Sequence, residues 1–196
     1  MKKDMDSLKA AAMAFERLLP VRYKIVLGRK RRLTELEIGF NKTDFFHLAG
    51  LQYLKDLPQL KAKRSILFDE VLNGAIPFDT VRSSAFFDAV EQRIVDLSVI
   101  ESILDRNDLI FKYTKDRSTF SNITAEYFLK TPLDDRTNYI FIDSLDGGQL
   151  KYCKSFFCND ANNYSFNQVS MTLLYKEKCN LSTGESIVQL DRLHRT

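Results

Sequence analysis

From Leu109 onward the apolar residues of this chain recur at every second position, whereas between Thr43 and Leu104 they recur at helical spacing. A period of two sends alternate side chains to opposite faces of a strand, and a period near 3.6 lines them along one stripe of a helix. Helices followed by an antiparallel meander imply an α+β fold and exclude a doubly wound one, in which strands and helices would alternate. The candidate strands are 109–114, about 125–130, 138–143, 150–157, 169–176 and 186–190, and Asp146-Gly147-Gly148 is a strong turn joining the third to the fourth as a hairpin.

Two more strands precede the helical part. Tyr23, Ile25 and Leu27 alternate with Lys24 and Val26, and Leu36, Ile38 and Phe40 alternate with Glu35 and Glu37. Their tip, Gly28-Arg29-Lys30-Arg31-Arg32, carries four consecutive cations, which can grip a backbone phosphate or simply keep a turn solvated. Before them, Leu8, Ala11, Ala12, Phe15, Leu18 and Leu19 form a packing helix that Pro20 ends. From Asp79, a stripe through Phe86, Val90, Ile94, Leu97 and Leu104 predicts one long amphipathic brace of about seven turns. The expected architecture is helices, this brace included, packed on one face of an antiparallel β-sheet. A single domain over 1–196 is expected, with helix and hairpin in 1–42, the helical part in 43–105 and the sheet in 109–190.

An apolar content of 44% in 196 residues supports a sizeable core, and 7 Gly with 4 Pro leave little room for a disordered linker. Three cysteines without CxxC spacing suggest neither a disulfide framework nor a zinc site. A reducing cytoplasm fits that usage, and no apolar run reaches the length of a signal core or a membrane span. The formal charge of +3 hides an asymmetry: residues 1–64 hold 15 basic and 7 acidic side chains, and residues 65–105 hold 2 and 8. The basic first third suits a phosphate-bearing partner, or a surface that only keeps the protein in solution.

A helix predicted over 43–57 carries one of the two histidines. At about 100° per residue, Phe46, Gly50, Leu51, Tyr53, Leu54 and Leu57 share one arc, and His47 falls inside it. An inward His47 either donates to a core carbonyl or serves a site that reaches the same side. Gly50, one turn away, leaves a gap for close approach. Strict alternation of the late strands gathers Ser170, Thr172, Lys176, Ser155 and Lys151 on one sheet face, where hydroxyls and ammonium groups suit phosphodiester oxygens. An ordinary hydrated face gives the same alternation. There is no GxSxG, Walker loop, GxGxxG, HExxH or Cys/His cluster, so most hydrolase, nucleotide-binding and metal-dependent classes lose support.

Residues 23–57, with Phe-Phe-His-Leu-Ala-Gly-Leu-Gln-Tyr-Leu after the hairpin, resemble a known family together with four later segments. These are Ala125–Lys130, Tyr139–Ile142, Lys154–Phe157 and Thr172–Lys176. The family is the phage-associated barnase, EndoU, colicin and RelE-like (BECR) nucleases, in particular the fourth phage group. The resemblance implies an α+β BECR-like fold and a metal-independent ribonuclease without cofactor. It also implies a phage or mobile-element origin and a toxin or host-takeover role in the cytoplasm, with RNA as substrate, an immunity or antitoxin protein as partner, and no membrane association. In that chemistry a base deprotonates the ribose 2′-OH, the oxygen attacks phosphorus, cations stabilise the charged state and an acid protonates the 5′-oxygen. Carried over, Lys130, Lys176 and Lys112 stabilise charge, Ser155 and Thr172 position phosphate, and His47 is acid or base. Lys151, Ser170 and Arg29, Lys30, Arg31 and Arg32 then hold the substrate. The alternative is a catalytically inactive α+β module that binds RNA or a protein partner.

Overall fold

The computed structural model describes residues 6–118, 120–145, 147–159 and 161–194. Helix α1 (Ser7–Leu18) begins where Asp6 accepts the Lys9 N–H at 2.8 Å, and it buries Leu8, Ala11, Ala12, Phe15 and Leu18. Strands β1 (Val21–Arg29) and β2 (Arg32–Gly39) form the expected hairpin. Its tip turns through Lys30 and Arg31 at φ of 45° and 62°. The twist of such a turn matches a hairpin, but residues with side chains adopt it at a cost.

The predicted helix over 43–57 is shorter than its periodicity suggests. Helix α2 (Lys42–Leu48) stops, Gly50 turns the chain at φ 76°, and a single 3-10 turn follows at Leu51–Tyr53. The buried side of α2 is Phe45 and Leu48, while Phe46 is partly exposed and Tyr53 is exposed, so the expected arc is rotated by about one residue. The gap at Gly50 is filled by side chains and not by a backbone: a Cβ there would lie 2.9 Å from Val90 Cγ1 and 3.0 Å from Arg93 Cδ. Left-handed φ and crowding act together, so Gly50→Ala is expected to cost about 1–3 kcal/mol. Urea unfolding measures it, and an unchanged midpoint would show that neither constraint matters.

The expected long brace is also corrected. Residues 78–105 form α4 (Phe78–Arg82), a 3-10 turn at Phe87–Ala89, α5 (Glu91–Leu97) and α6 (Ile100–Asp105), after α3 (Arg64–Asn73). Serines and one aspartate explain the breaks. Asp56 accepts the Ser84 hydroxyl at 2.6 Å and the Ala85 N–H at 2.8 Å, and the Ser83 and Ser98 hydroxyls donate to the carbonyls three residues back. Such local bonds compete with the helical ladder, and the apolar period carries through the breaks because the pieces still pack one face inward.

Strands β3 (Leu109–Lys112), β4 (Tyr127–Leu133), β5 (Arg136–Asp143), β6 (Leu150–Cys158), β7 (Val169–Asn180) and β8 (Ser186–Asp191) agree with the period-two segments. β5 and β6 pair as the expected hairpin; Asp146 of its connection lies outside the described residues. The sheet, however, is neither open nor wholly antiparallel. The order β1-β2-β6-β5-β4-β3-β7 returns from β7 to β1, closing a seven-stranded barrel, with β8 added to β7. β2 meets β6 in parallel, Glu37–Gly39 against Leu150–Tyr152. Periodicity reports which face a residue takes and is silent on which strands pair, so closure and the parallel contact were beyond it.

Inward side chains of all seven barrel strands join the helices in one continuous core that includes Phe15, Tyr23, Ile38, Phe45, Ile140 and Phe156. A second, aromatic cluster lies on the other side of β3 to β6, built from Phe111, Tyr113, Phe128, Tyr139, Phe141, Phe157 and Tyr164. Within the seven barrel strands, two bulges break the alternation. On β7, Val26 and Leu27 face Tyr175 and Leu173, leaving Leu174 extra; on β6, Phe141 and Ile142 face Ser155 and Cys153, leaving Lys154 extra. An extra residue reverses the inside–outside sense of everything beyond it.

Candidate functional site

α2 sets the histidine. Asn41 and Asp44 cap its start, and Asp44 Oδ2 accepts the Asn41 N–H at 2.8 Å. Three residues on, one helical turn from Asp44, His47 projects on the same side. Both line a groove of about 460 Å³ whose opposite wall is β6 and the segment before β4: Tyr152, Lys154, Ser155, Asn122 and Thr124, with Arg64 of α3 at the helical side. The ring of His47 is thus partly open and is not sealed under Leu51 and Leu54.

The electrostatics of the groove separate its two titrating groups. Burial and the Arg64 guanidinium push the His47 imidazole below its ordinary value, with Gln52 opposing them. Burial pushes the Asp44 carboxyl up to about 6, against the hydrogen bonds it accepts from Asn41 and Thr43. The shifts run in opposite directions, toward a neutral imidazole on His47 and toward a carboxyl on Asp44 that keeps its proton to higher pH than a free aspartate. Lys154 Nζ donates to Asp143 Oδ2 at 2.6 Å and to Thr124 Oγ1 at 2.9 Å, so the groove's lysine is held in place and shares its charge with one carboxylate. Arg64 is exposed, its guanidinium carbon 5.6 Å from the centre of the Phe46 ring.

Of the residues expected to share a site, His47 and Ser155 meet in this groove. The rest disperse. Lys176 is 2% exposed inside the barrel, where Nζ donates to the carbonyls of Leu104 and Arg106 at the end of α6. Lys151 is buried and donates to both Glu126 oxygens at 2.9 Å. Ser170 and Thr172 are exposed, with Thr172 opposite Gly28 beside the hairpin tip of Arg29, Lys30, Arg31 and Arg32. Lys130 donates to Asn163 Oδ1 at 3.3 Å and Ser165 Oγ at 3.1 Å, and exposed Lys112 lies opposite Tyr127 and Val169. The bulges account for the two buried lysines: Leu174 turns Lys176 inward with Leu173, and Lys154 puts Lys151 inward with Cys153 while Ser155 faces the other way with Phe157.

A family model, phage-Barnase-EndoU-ColicinE5/D-RelE like nuclease4, matches residues 7–193. The chain belongs to this nuclease family. No curated protein and no solved structure matches it. In this phage-type nuclease the groove residues Asp44, Arg64, Asn122, Thr124 and Lys154 were not singled out from sequence as site residues. Asp44 carried one signal, its place three before His47 on the same predicted helix. Arg64 and Lys154 come next to the histidine only through α2–α3 packing and the β6 bulge. Among the described residues no group of three or more His, Cys, Asp or Glu is arranged to hold a metal ion, and no helix is long and apolar enough to cross a membrane.

Proposed function

We propose that this nuclease is a metal-independent endoribonuclease whose site is the His47 groove. The observation that carries the reading is the meeting, in one open groove, of an imidazole, a carboxyl and two basic side chains. His47 takes the 2′-OH proton, the 2′-oxygen attacks phosphorus, and the P–O5′ bond breaks to leave a 2′,3′-cyclic phosphate. Asp44 returns a proton to the departing 5′-oxygen. Arg64 and Lys154 stabilise the charge that builds on the phosphoryl oxygens, and Ser155 and Thr124 orient the phosphate by hydrogen bonds. Environments that drive one group's pKa down and its neighbour's up suit a base and an acid working as a pair.

The exposed tip Arg29–Arg32 supports the same reading as a second, sequence-independent hold on the RNA backbone. A toxin or host-takeover role, with an immunity or antitoxin protein as counterpart, follows as a proposal from the phage-type family. Incubating the protein with total RNA in excess chelator tests the chemistry. Fragments ending in 2′,3′-cyclic phosphate are expected, and RNA left intact at high protein concentration would exclude it.

A further inference from the structure

Gln52 stands in the 3-10 turn Leu51–Tyr53 that follows α2. Had the helix run on, Gln52 would lie about 140° round its axis from His47, out of reach of the ring. The chain turns instead. The Gly50 N–H donates to the His47 carbonyl at 3.2 Å, Gly50 adopts φ 76°, and its own carbonyl accepts the Tyr53 N–H at 3.0 Å. The reversal brings the Gln52 amide back against the His47 imidazole, with which it hydrogen-bonds.

Two observations say which end of the amide meets the ring. Gln52 Oε1 is buried, no other donor serves it, and the imidazole is not squarely aligned on it. Rotation about the histidine Cβ–Cγ bond, a soft torsion, aligns a ring N–H with that oxygen. A buried acceptor left without a donor is costly enough to favour this arrangement. The contact also favours the protonated ring, as an acceptor does and a donor does not. The titratable groups that line the groove with His47 leave the role to Gln52. They are Asp44 on α2, Arg64 on α3, and Tyr152, Cys153 and Lys154 on β6. Arg64 and Lys154 only donate, and Asp44 is engaged with the start of its own helix.

We propose that Gln52 is the positioning residue of His47: its buried Oε1 accepts the N–H of one ring nitrogen and so keeps the other bare toward the groove, where the ribose 2′-OH proton is taken. Which nitrogen of a histidine carries the proton is set by the hydrogen bond that the ring makes on its far side. A neutral amide does this without the strong rise in basicity that a carboxylate would bring. The inference rests on the ribonuclease reading of the groove, yet the tautomer tests it without RNA.

The chain has two histidines, so NMR of ¹⁵N-histidine-labelled protein resolves each ring, and His194→Gln assigns them. Wild type is expected to show one dominant His47 tautomer. Gln52→Leu should mix the two tautomers and move the ring's titration to lower pH. Gln52→Glu, which keeps the acceptor and adds charge, should keep the tautomer and move the titration to higher pH. On RNA, Gln52→Leu should lower kcat by about 10- to 100-fold with KM little changed, and Gln52→Glu should restore cleavage with its acid limb at higher pH. Where Gln52→Leu melts well below wild type, the near-isosteric Gln52→Glu carries the test. A tautomer and titration that neither variant alters overturn the proposal, as does full cleavage by Gln52→Leu where His47→Ala is inactive. Tautomers mixed by Gln52→Leu in a protein that leaves RNA intact uphold the bond between Gln52 and His47 and remove the ribonuclease reading.

Discussion

His47→Ala is expected to reduce RNA cleavage by about 10²- to 10⁴-fold, the usual share of a positioned acid or base. The ring is partly exposed in the groove, so the melting temperature should stay within a few degrees. The pH dependence is the sharper readout. With His47 depressed below its ordinary value of 6.5, the base form persists to lower pH than a free imidazole would allow, and the acid limb of kcat/KM falls below pH 6.5. The alkaline limb follows loss of the Asp44 proton, near pH 6, so the optimum is mildly acidic. Asp44→Asn should flatten that alkaline limb and leave the acid limb in place. For stability the signs differ. His47, depressed, contributes stability that is lost as pH falls through 6.5, because the unfolded chain takes up the proton first; Asp44, raised, contributes stability that is lost as pH rises from 3.8 through about 6. Retention of wild-type cleavage by His47→Ala would remove the histidine from the mechanism.

Lys176→Met is expected to lower stability by about 3 kcal/mol, roughly 10 °C in a chain of this size, without altering cleavage. Methionine keeps much of the apolar stem but withdraws the donor that serves two carbonyls at the end of α6. Lys176 lies 5.5 Å over the Tyr23 ring, with Asp105, Asp108 and Lys178 acting on its charge, and burial brings its pKa down to about 8. Between pH 8 and 10 the unfolded chain therefore binds a proton that the folded protein does not, and wild-type stability should gain from this group as pH rises. That gain should vanish in Lys176→Met. A variant as stable as wild type would show that the barrel carbonyls need no donor, and a variant that folds but cannot cut RNA would return Lys176 to the site.

The strand segments, the hairpins and the inward turn of the first helix were legible because each depends on local period or turn residues. What failed was whatever one residue can reverse. Gly50 ended a helix that the apolar stripe carried on to Leu57, and Ser83, Ser84 and Ser98 divided a helix that reads as continuous from Asp79 to Leu104. Barrel closure depends on β7 finding β1 across more than 140 residues of chain, a partnership invisible to any window of sequence. The same holds for the candidate site. Ser155 and His47 were visible as a hydroxyl on a strand and a histidine on a helix, whereas Arg64 needed the packing of α3 on α2. Lys154 had been assigned to the opposite face from Ser155 by an alternation that the bulge interrupts.

That bulge makes the groove sensitive to chain length more than to side-chain identity. Lys154 is at once the extra residue that sets the two halves of β6 out of phase and the cation held toward the groove. Exchanging it for arginine would leave the phase of the strand intact. Losing one residue anywhere between Cys153 and Ser155 would force a choice between driving Lys151 out of its contact with Glu126 and burying Ser155 among the barrel's apolar side chains. A three-base deletion at this point would therefore shift the phase of the strand, which an exchange of one side chain leaves intact.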